Sequence, residues 1–388
     1  MKFQRFYEDE LQMRGYFENF QDNARTNPQI PASHIGRSII YIPSLRLESI
    51  LELDQRARFA YFRNLIGSKR PMVTSDSTVQ RVLPEFDLES IYTIEKVLYH
   101  RVVKQGLGKL QVNGQKKLKV AIVDGSGFGH YFSSVVSLGA FPLSSNPYKT
   151  KGKELPASRN LLSRLTKHLG KSWCDILVGD GLYMTRQDFQ EAKEKYGCDL
   201  LVKTSEESLD VVKDAKGLFC GNLHIPKMET AQGIDSAGKV SYKIKALAGF
   251  EWDGLSYPLK VAWVREEKLK PRPDENPIEE FYVITTKEDL SAEEMRQIAH
   301  YRWQIENNVF KRLNSLIKSK NVHTHNFSTF NILLHLWVMG LCLLQIFNIA
   351  YIKDKQWTQD KVRKTWKLFL KRIELSLLDE VSQQSSSP

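Results

Sequence analysis

Three acidic residues, Asp124, Asp180 and Glu306, stand where a carboxylate does chemistry rather than simply meeting water. Asp124 closes the apolar run Val120-Ala121-Ile122-Val123, and Asp180 closes Ile176-Leu177-Val178-Gly179. An acid at the exit of a buried strand is held rigidly at a sheet edge, where it can coordinate a metal. Glu306 follows Arg302-Trp303-Gln304-Ile305, within a stretch from Ala292 to Lys320 that holds no Gly or Pro and predicts one long helix. Helical spacing puts Arg302, Trp303, Glu306, Phe310 and Leu313 on one face. A carboxylate among such neighbours is costly to desolvate without a cation beside it. The plain alternative is a solvated Arg302–Glu306 pair one turn apart. Two strand-terminal aspartates earlier in the chain weigh against it, because strand–acid, strand–acid, helix–acid describes an α/β layer with carboxylates converging at one edge.

The elements that must carry these residues follow from patterning. Residues 1–115 are polar and helical, with amphipathic spacing over 44–51, 55–65 and 88–103 and basic residues at Arg56, Arg58, Arg63, Lys69, Arg70 and Arg81. Such a segment suits a DNA-binding helical domain or a plain helical scaffold. Near residue 117 β-branched residues take over. The strand ending at Asp124 and a second over 130–138 predict a hairpin around Gly125-Ser126-Gly127-Phe128-Gly129. That glycine string opens no helix and lacks the spacing of a dinucleotide site. A basic loop, Lys149-Thr150-Lys151-Gly152-Lys153, precedes a helix over 158–169; a further helix over 186–196 leads to a strand over 199–202. Short strands over 218–220, 240–247 and 257–264 predict a β-rich insertion, and 281–286 returns to the main sheet. Ser291 with Glu294 three residues on is a capping box opening the Glu306 helix.

The order and spacing of Val123-Asp124-Gly125, Gly152-Lys153-Glu154-Leu155, Val178-Gly179-Asp180-Gly181-Leu182-Tyr183, Tyr282-Val283-Ile284-Thr285-Thr286 and Arg302-Trp303-Gln304-Ile305-Glu306-Asn307 resemble insertion-sequence transposases of the DDE type. The resemblance covers residues 40–350. It implies an α/β fold: an RNase H-like mixed sheet with flanking helices, a helical N-terminal domain and a β-rich insertion. It divides the chain into 1–115, a catalytic core of 116–204 and 281–353, the insertion at 205–280, and a basic C-terminal helix with a tail at 354–388. It makes Asp124, Asp180 and Glu306 the acidic triad and Arg302 the phosphate-contacting arginine. The family's fuller signature has a tyrosine three residues before that arginine and a lysine seven after the glutamate. Here those positions are Ala299 and Leu313. Tyr301, Lys311 and Lys318 are the candidates to substitute, although Lys311 falls off the Glu306 face of a regular helix.

The implied chemistry is metal-dependent. Two Mg²⁺ ions, or Mn²⁺ in their place, suit all-oxygen ligands, one ion activating the attacking oxygen and the other steadying the leaving one. No Ser-His-Asp or Cys-His constellation is needed for that reaction. The implied partner is DNA, both element ends and target, bound by a homodimer in a synaptic complex, in the bacterial cytoplasm with the nucleoid. Lysine and arginine exceed aspartate and glutamate by 56 − 45 = 11, which favours a polyanion. Lys149, Lys151, Lys153, Arg159 and Lys311 are the candidates for backbone phosphates, in addition to Arg302. Trp303 either packs in the core or stacks on an unpaired base at the cut end. Cys174, Cys198, Cys220 and Cys342 show no metal-ligand spacing and read as reduced thiols. The apolar stretch over 330–352 is long enough for a membrane span, but Asn331, His335, Gln345 and Asn348 interrupt it. It predicts a helix buried against the core, and no membrane partner is expected. His323 and His325 precede it as loop histidines. The alternatives to an active transposase are an inactive, transposase-derived DNA-binding protein and a metal-dependent nuclease without strand transfer.

Overall fold

The β-branched run around Val120 lies inside a thirteen-residue strand that continues through Asp124 to Phe128. The computed structural model describes residues 5–354 except 19, 21, 23–24, 60–61, 64–65, 69–74, 113–115 and 221–224, and also residue 373. Lys69, Arg70 and nearly all of the expected C-terminal helix and tail fall outside the described residues.

Ten strands are described: β1 (Lys109–Val112), β2 (Lys116–Phe128), β3 (Tyr131–Leu138), β4 (Phe141–Tyr148), β5 (Ile176–Gly179), β6 (Asp199–Thr204), β7 (Glu229–Ile234), β8 (Val240–Phe250), β9 (Leu259–Lys268) and β10 (Ile278–Thr285). They hydrogen-bond in the order β4-β3-β2-β5-β6-β10-β9-β8-β7, with β1 on β2. β2, β5 and β6 run parallel, and β10, β9, β8 and β7 add on antiparallel. This mixed sheet with flanking helices is the α/β class expected from the sequence. Within 205–280, read as the β-rich insertion, β7, β8 and β9 extend this same sheet beyond β10.

The chain divides into two compact units. One comprises Met1–Leu107, Gly125–Ala157 and Glu306–Pro388. Its helices include Ala32–Ile40, Ile50–Ala57, Asp76–Val82, Leu88–Lys104 and the apolar Phe327–Asp354. Ser49, Ser75 and Asp87 cap three of them through side-chain oxygens, as short polar residues do at helix starts. The helix Phe327–Asp354 packs on β4 and on the N-terminal helices. Its 327–349 stretch is long and apolar enough to cross a membrane, yet 94% of it is buried within the protein. The expected core helix is what forms.

The other unit comprises Gly108–Asp124 and Ser158–Ile305. Residues 218–220, expected as a strand, end the helix Asp210–Cys220, whose buried Val211, Val212, Ala215 and Phe219 follow the three-to-four spacing of a helix. The predicted long helix after Ser291 is also broken up. Ala292–Tyr301 is helical, with the capping box at Ser291 and Glu294, and Arg302 makes a turn. Trp303–Ile305 resumes the helix, Glu306–Phe310 is a π-helix, and Lys311–Ile317 is α-helical up to a left-handed Lys318.

Candidate active site

Asp124 lies in β2, and Asp180 follows directly on the parallel neighbour β5. In the parallel pairing of β2 with β5, Ile122 sits opposite Val178. Asp124 lies two residues beyond Ile122 within β2, and Asp180 lies two beyond Val178, just past the end of β5. Adjacent strands lie about 4.8 Å apart. Asp124 is not a strand end as the sequence suggested. It marks where β2 leaves β5 behind and runs on beside β3.

Arg302 is the cation beside these acids. Its Nη1 donates to Oδ2 of Asp124 at 2.9 Å, with side chains 19% and 15% exposed. In place of the alternative one-turn pairing with Glu306, Arg302 makes a contact across 178 residues of chain. Arg302, Trp303 and Asp180 line one cavity of about 700 Å³, together with Lys203, Thr204 and Glu206. Trp303 is 45% exposed there, and the Arg302 guanidinium lies 5.4 Å from its ring centroid. The core alternative for this tryptophan does not hold.

The glycines around Asp180 have a local reason. A Cβ on Gly179 would fall 2.7 Å from the Tyr183 ring, so glycine is what lets that ring fold back under the loop. Asp180 accepts from the backbone N–H of Leu182 at 2.9 Å and caps the short turn Gly181–Tyr183. The Tyr183 hydroxyl meets that of Ser158 at 2.7 Å, which ties the loop down.

Glu306 belongs to the first unit, where it begins the π-helix. Lys311 Nζ lies 3.9 Å from its carboxylate and 2.8 Å from Asn307 Oδ1. A π turn brings residues five apart together, whereas a regular helix would have turned Lys311 well away. This corrects the sequence expectation for Lys311. Ala299 and Leu313, where the resembled family has tyrosine and lysine, are buried at 1% and 0% exposure and serve the core. Burial pushes the Tyr301 phenol up to about 12, so it stays protonated at neutral pH.

The basic loop is exposed at Lys149, Lys151 and Lys153, with Lys149 5.1 Å from the Phe327 ring centroid. Arg159 is held inside its own unit instead. It donates to both carboxylate oxygens of Asp188, at 2.8 and 3.1 Å, and to the Thr185 hydroxyl at 3.3 Å. Sequence reasoning assigns no role to Glu154, which stands there only within a motif. Its carboxylate lies directly against Gly125, next in chain to Asp124, where a Cβ would collide with it. The signal was the Asp-Gly pair itself, since an acid approaching a backbone closely needs glycine there.

Asp124 and Asp180 offer oxygen donors of the kind a hard divalent cation takes. Among the described residues no three His, Cys, Asp or Glu side chains gather closely enough to hold a metal. Of the two aspartates, Asp124 is engaged by Arg302.

Comparison with known proteins shows a family. The chain matches the family described as Transposase DDE domain over residues 141–343. Among curated proteins none matches significantly. A solved structure described as a piggyBac transposase synaptic complex with hairpin DNA is similar over 100% of this chain and 81% of that one, at 12% identity and a TM-score of 0.41. A likeness that faint carries no further argument.

Proposed function

Because the chain belongs to the Transposase DDE domain family, matched over more than half its length, we propose that it cleaves phosphodiesters at the ends of a DNA element and joins them to target DNA. What supports this reading is the placement of Asp124 in β2 and of Asp180 just past the end of its parallel neighbour β5, with Arg302 beside Asp124. In the first step a water oxygen bonds to phosphorus as the P–O3′ bond breaks, which leaves a free 3′-OH. In the second, that 3′-OH bonds to a target phosphorus and displaces another 3′ oxygen. Divalent cations such as Mg²⁺, held by Asp124 and Asp180, would supply activation of the attacking oxygen and neutralisation of the leaving one. Arg302 orients Asp124 and offers its remaining N–H groups to a phosphate in the cavity it shares with Asp180. Lys149, Lys151 and Lys153 neutralise the DNA backbone, and Lys311 stands in for the lysine that Leu313 replaces. Two copies of the chain hold the two element ends.

The second reading, a DNA-binding derivative without catalysis, draws on the core burial of Ala299 and Leu313. One experiment separates the two: incubate the purified chain with Mg²⁺ and duplexes carrying its element's own ends. Cleavage that disappears in Asp124→Ala while DNA binding persists supports the transposase. Binding with no cleavage by the unaltered protein supports the derivative.

A further inference from the structure

Residues 125–153 and 307–349 contain no aspartate or glutamate, although both stretches carry lysines. The fold brings their exposed ends together within the first unit. Gly129 turns the chain between β2 and β3 at φ +61°, and a Cβ there would fall 2.8 Å from the carbonyl oxygen of Asn321. That close approach seats the turn against the loop before the long apolar helix. Tyr131 clamps the same junction by donating its hydroxyl to the His325 carbonyl at 2.5 Å. The result is a pair of exposed imidazoles, His130 and His325, with ring centroids 5.0 Å apart. In the same unit, Lys149 lies over Phe327, whose ring packs 5.3 Å from that of Tyr131.

We propose that His130 and His325 form a stacking platform for an unpaired nucleotide, with Lys149, Lys151 and Lys153 taking the flanking phosphates. Flat rings beside cations, with no acid in either segment, match a strand that is at once polyanionic and π-faced. Imidazoles serve among the rings on which unstacked bases settle. An anionic membrane is the other polyanion such a surface could meet. It would call for apolar side chains free to insert, whereas Tyr131 and Phe327 are packed against each other and only half-exposed. The platform shares no residue with the Asp180–Trp303 cavity. It rests on the transposase reading only for the strand's being DNA.

The test is metal-free, so it stands whether or not the chain cleaves. Fluorescence anisotropy of the full chain with a labelled oligothymidine and with a duplex of equal length gives both affinities. His130→Ala/His325→Ala is expected to weaken oligothymidine binding roughly tenfold, the scale of one lost base stack, and to leave duplex binding unchanged. His130→Phe/His325→Phe keeps the rings and is expected to keep the affinity. Lys149→Gln/Lys151→Gln/Lys153→Gln should weaken both and flatten the salt dependence, by about 0.7 to 0.9 in log–log slope for each phosphate no longer neutralised. Photocrosslinking of unaltered protein to 5-iodouracil-substituted oligonucleotide needs no variant, and should label peptides containing His130 or His325. Unchanged oligothymidine affinity in the alanine pair overturns the proposal. So do crosslinks confined to other peptides, or stronger binding to phosphatidylserine vesicles than to the oligonucleotide.

Discussion

Lys311 Nζ lies 3.9 Å from the carboxylate of Glu306, five residues earlier in the chain. The π-helix over Glu306–Phe310 makes this neighbourhood, by adding a residue to the turn and shifting the phase of everything after it. The same shift turns Leu313 into the core. A lysine beside the glutamate is thereby kept, at a different position from the one the family signature names.

Lys311→Ala is therefore expected to slow DNA-end cleavage several-fold with almost no change in melting temperature, since an exposed ion pair contributes about 0–1 kcal/mol. Leu313→Lys should not compensate. Placing an ammonium at a fully buried position costs several kcal/mol. Cleavage rates and melting curves on the parent and the two variants check this, and a Leu313→Lys protein that is stable and active would refute it.

Asp124→Asn and Asp180→Asn each keep size and a carbonyl acceptor, so the amide at position 124 still receives Arg302 and the one at position 180 still caps its turn. Each variant is expected to bind DNA as the parent does and to lose at least about a thousandfold in cleavage rate, roughly 4 kcal/mol of barrier. Parallel loss of binding in either variant would make that aspartate structural.

Arg302→Lys retains charge but not the planar fork that bridges Asp124 to a phosphate. The expected cost is about 1–3 kcal/mol in the cleavage transition state, a rate loss of roughly 5- to 150-fold. Because the Asp124 pair is largely shielded from water, a lowering of the melting temperature by a few degrees is expected as well. Should stability fall while cleavage per folded molecule holds, Arg302 acts only through folding.

Gln345, buried in the apolar helix, donates to the Asn308 carbonyl inside the π-helix at 2.7 Å. Gln345→Leu removes that donor and is expected to cost about 1–3 kcal/mol, the range for leaving a buried polar group unpaired. Faster amide exchange over residues 306–312, and slower cleavage through Glu306, should accompany it. Unchanged exchange there would mean that the π-helix holds itself.

Glu95 sits at 4% exposure between the Ser144 hydroxyl and His335 Nδ1, each at 2.7 Å. Glu95→Ala strands both partners and is expected to destabilise the fold by about 3–5 kcal/mol. Glu95→Leu combined with His335→Leu should recover part of it, because a matched apolar pair needs no polar partner. Denaturant unfolding of the single and double variants measures the difference.

Much of this molecule is legible in the chain. Runs such as Val120–Val123 and Ile176–Gly179 specify buried strands, because β-branched side chains pack well on a pleated surface. The Ser291–Glu294 box specifies where its helix starts. The composition of residues 327–349 specifies a buried helix, since its apolar surface is too large to leave in water. β4 and β7 escape such reading: Phe141–Tyr148 carries two prolines and three polar residues, and Glu229–Ile234 alternates half-exposed and exposed, so neither shows an apolar run. The short apolar run at 218–220 looks like a strand because its helical partners, Val211 and Val212, lie two turns earlier.

The strands that carry Asp124 and Asp180, the helix start before Arg302 and the basic surplus are properties of the chain alone, because local propensity and solvent partitioning act on neighbours in sequence. Long-range packing settles which partner Arg302 takes, where the helix slips into a π turn, and which basic residues stay exposed. Arg302 finds Asp124 because a helix packed on the sheet brings together residues far apart in sequence. Lys311 meets Glu306 across a non-standard turn whose Asn308 carbonyl accepts from Gln345 of another helix, and Arg159 is occupied by Asp188. Each outcome is a competition between local geometry and a distant partner, and a one-dimensional pattern records only the first competitor.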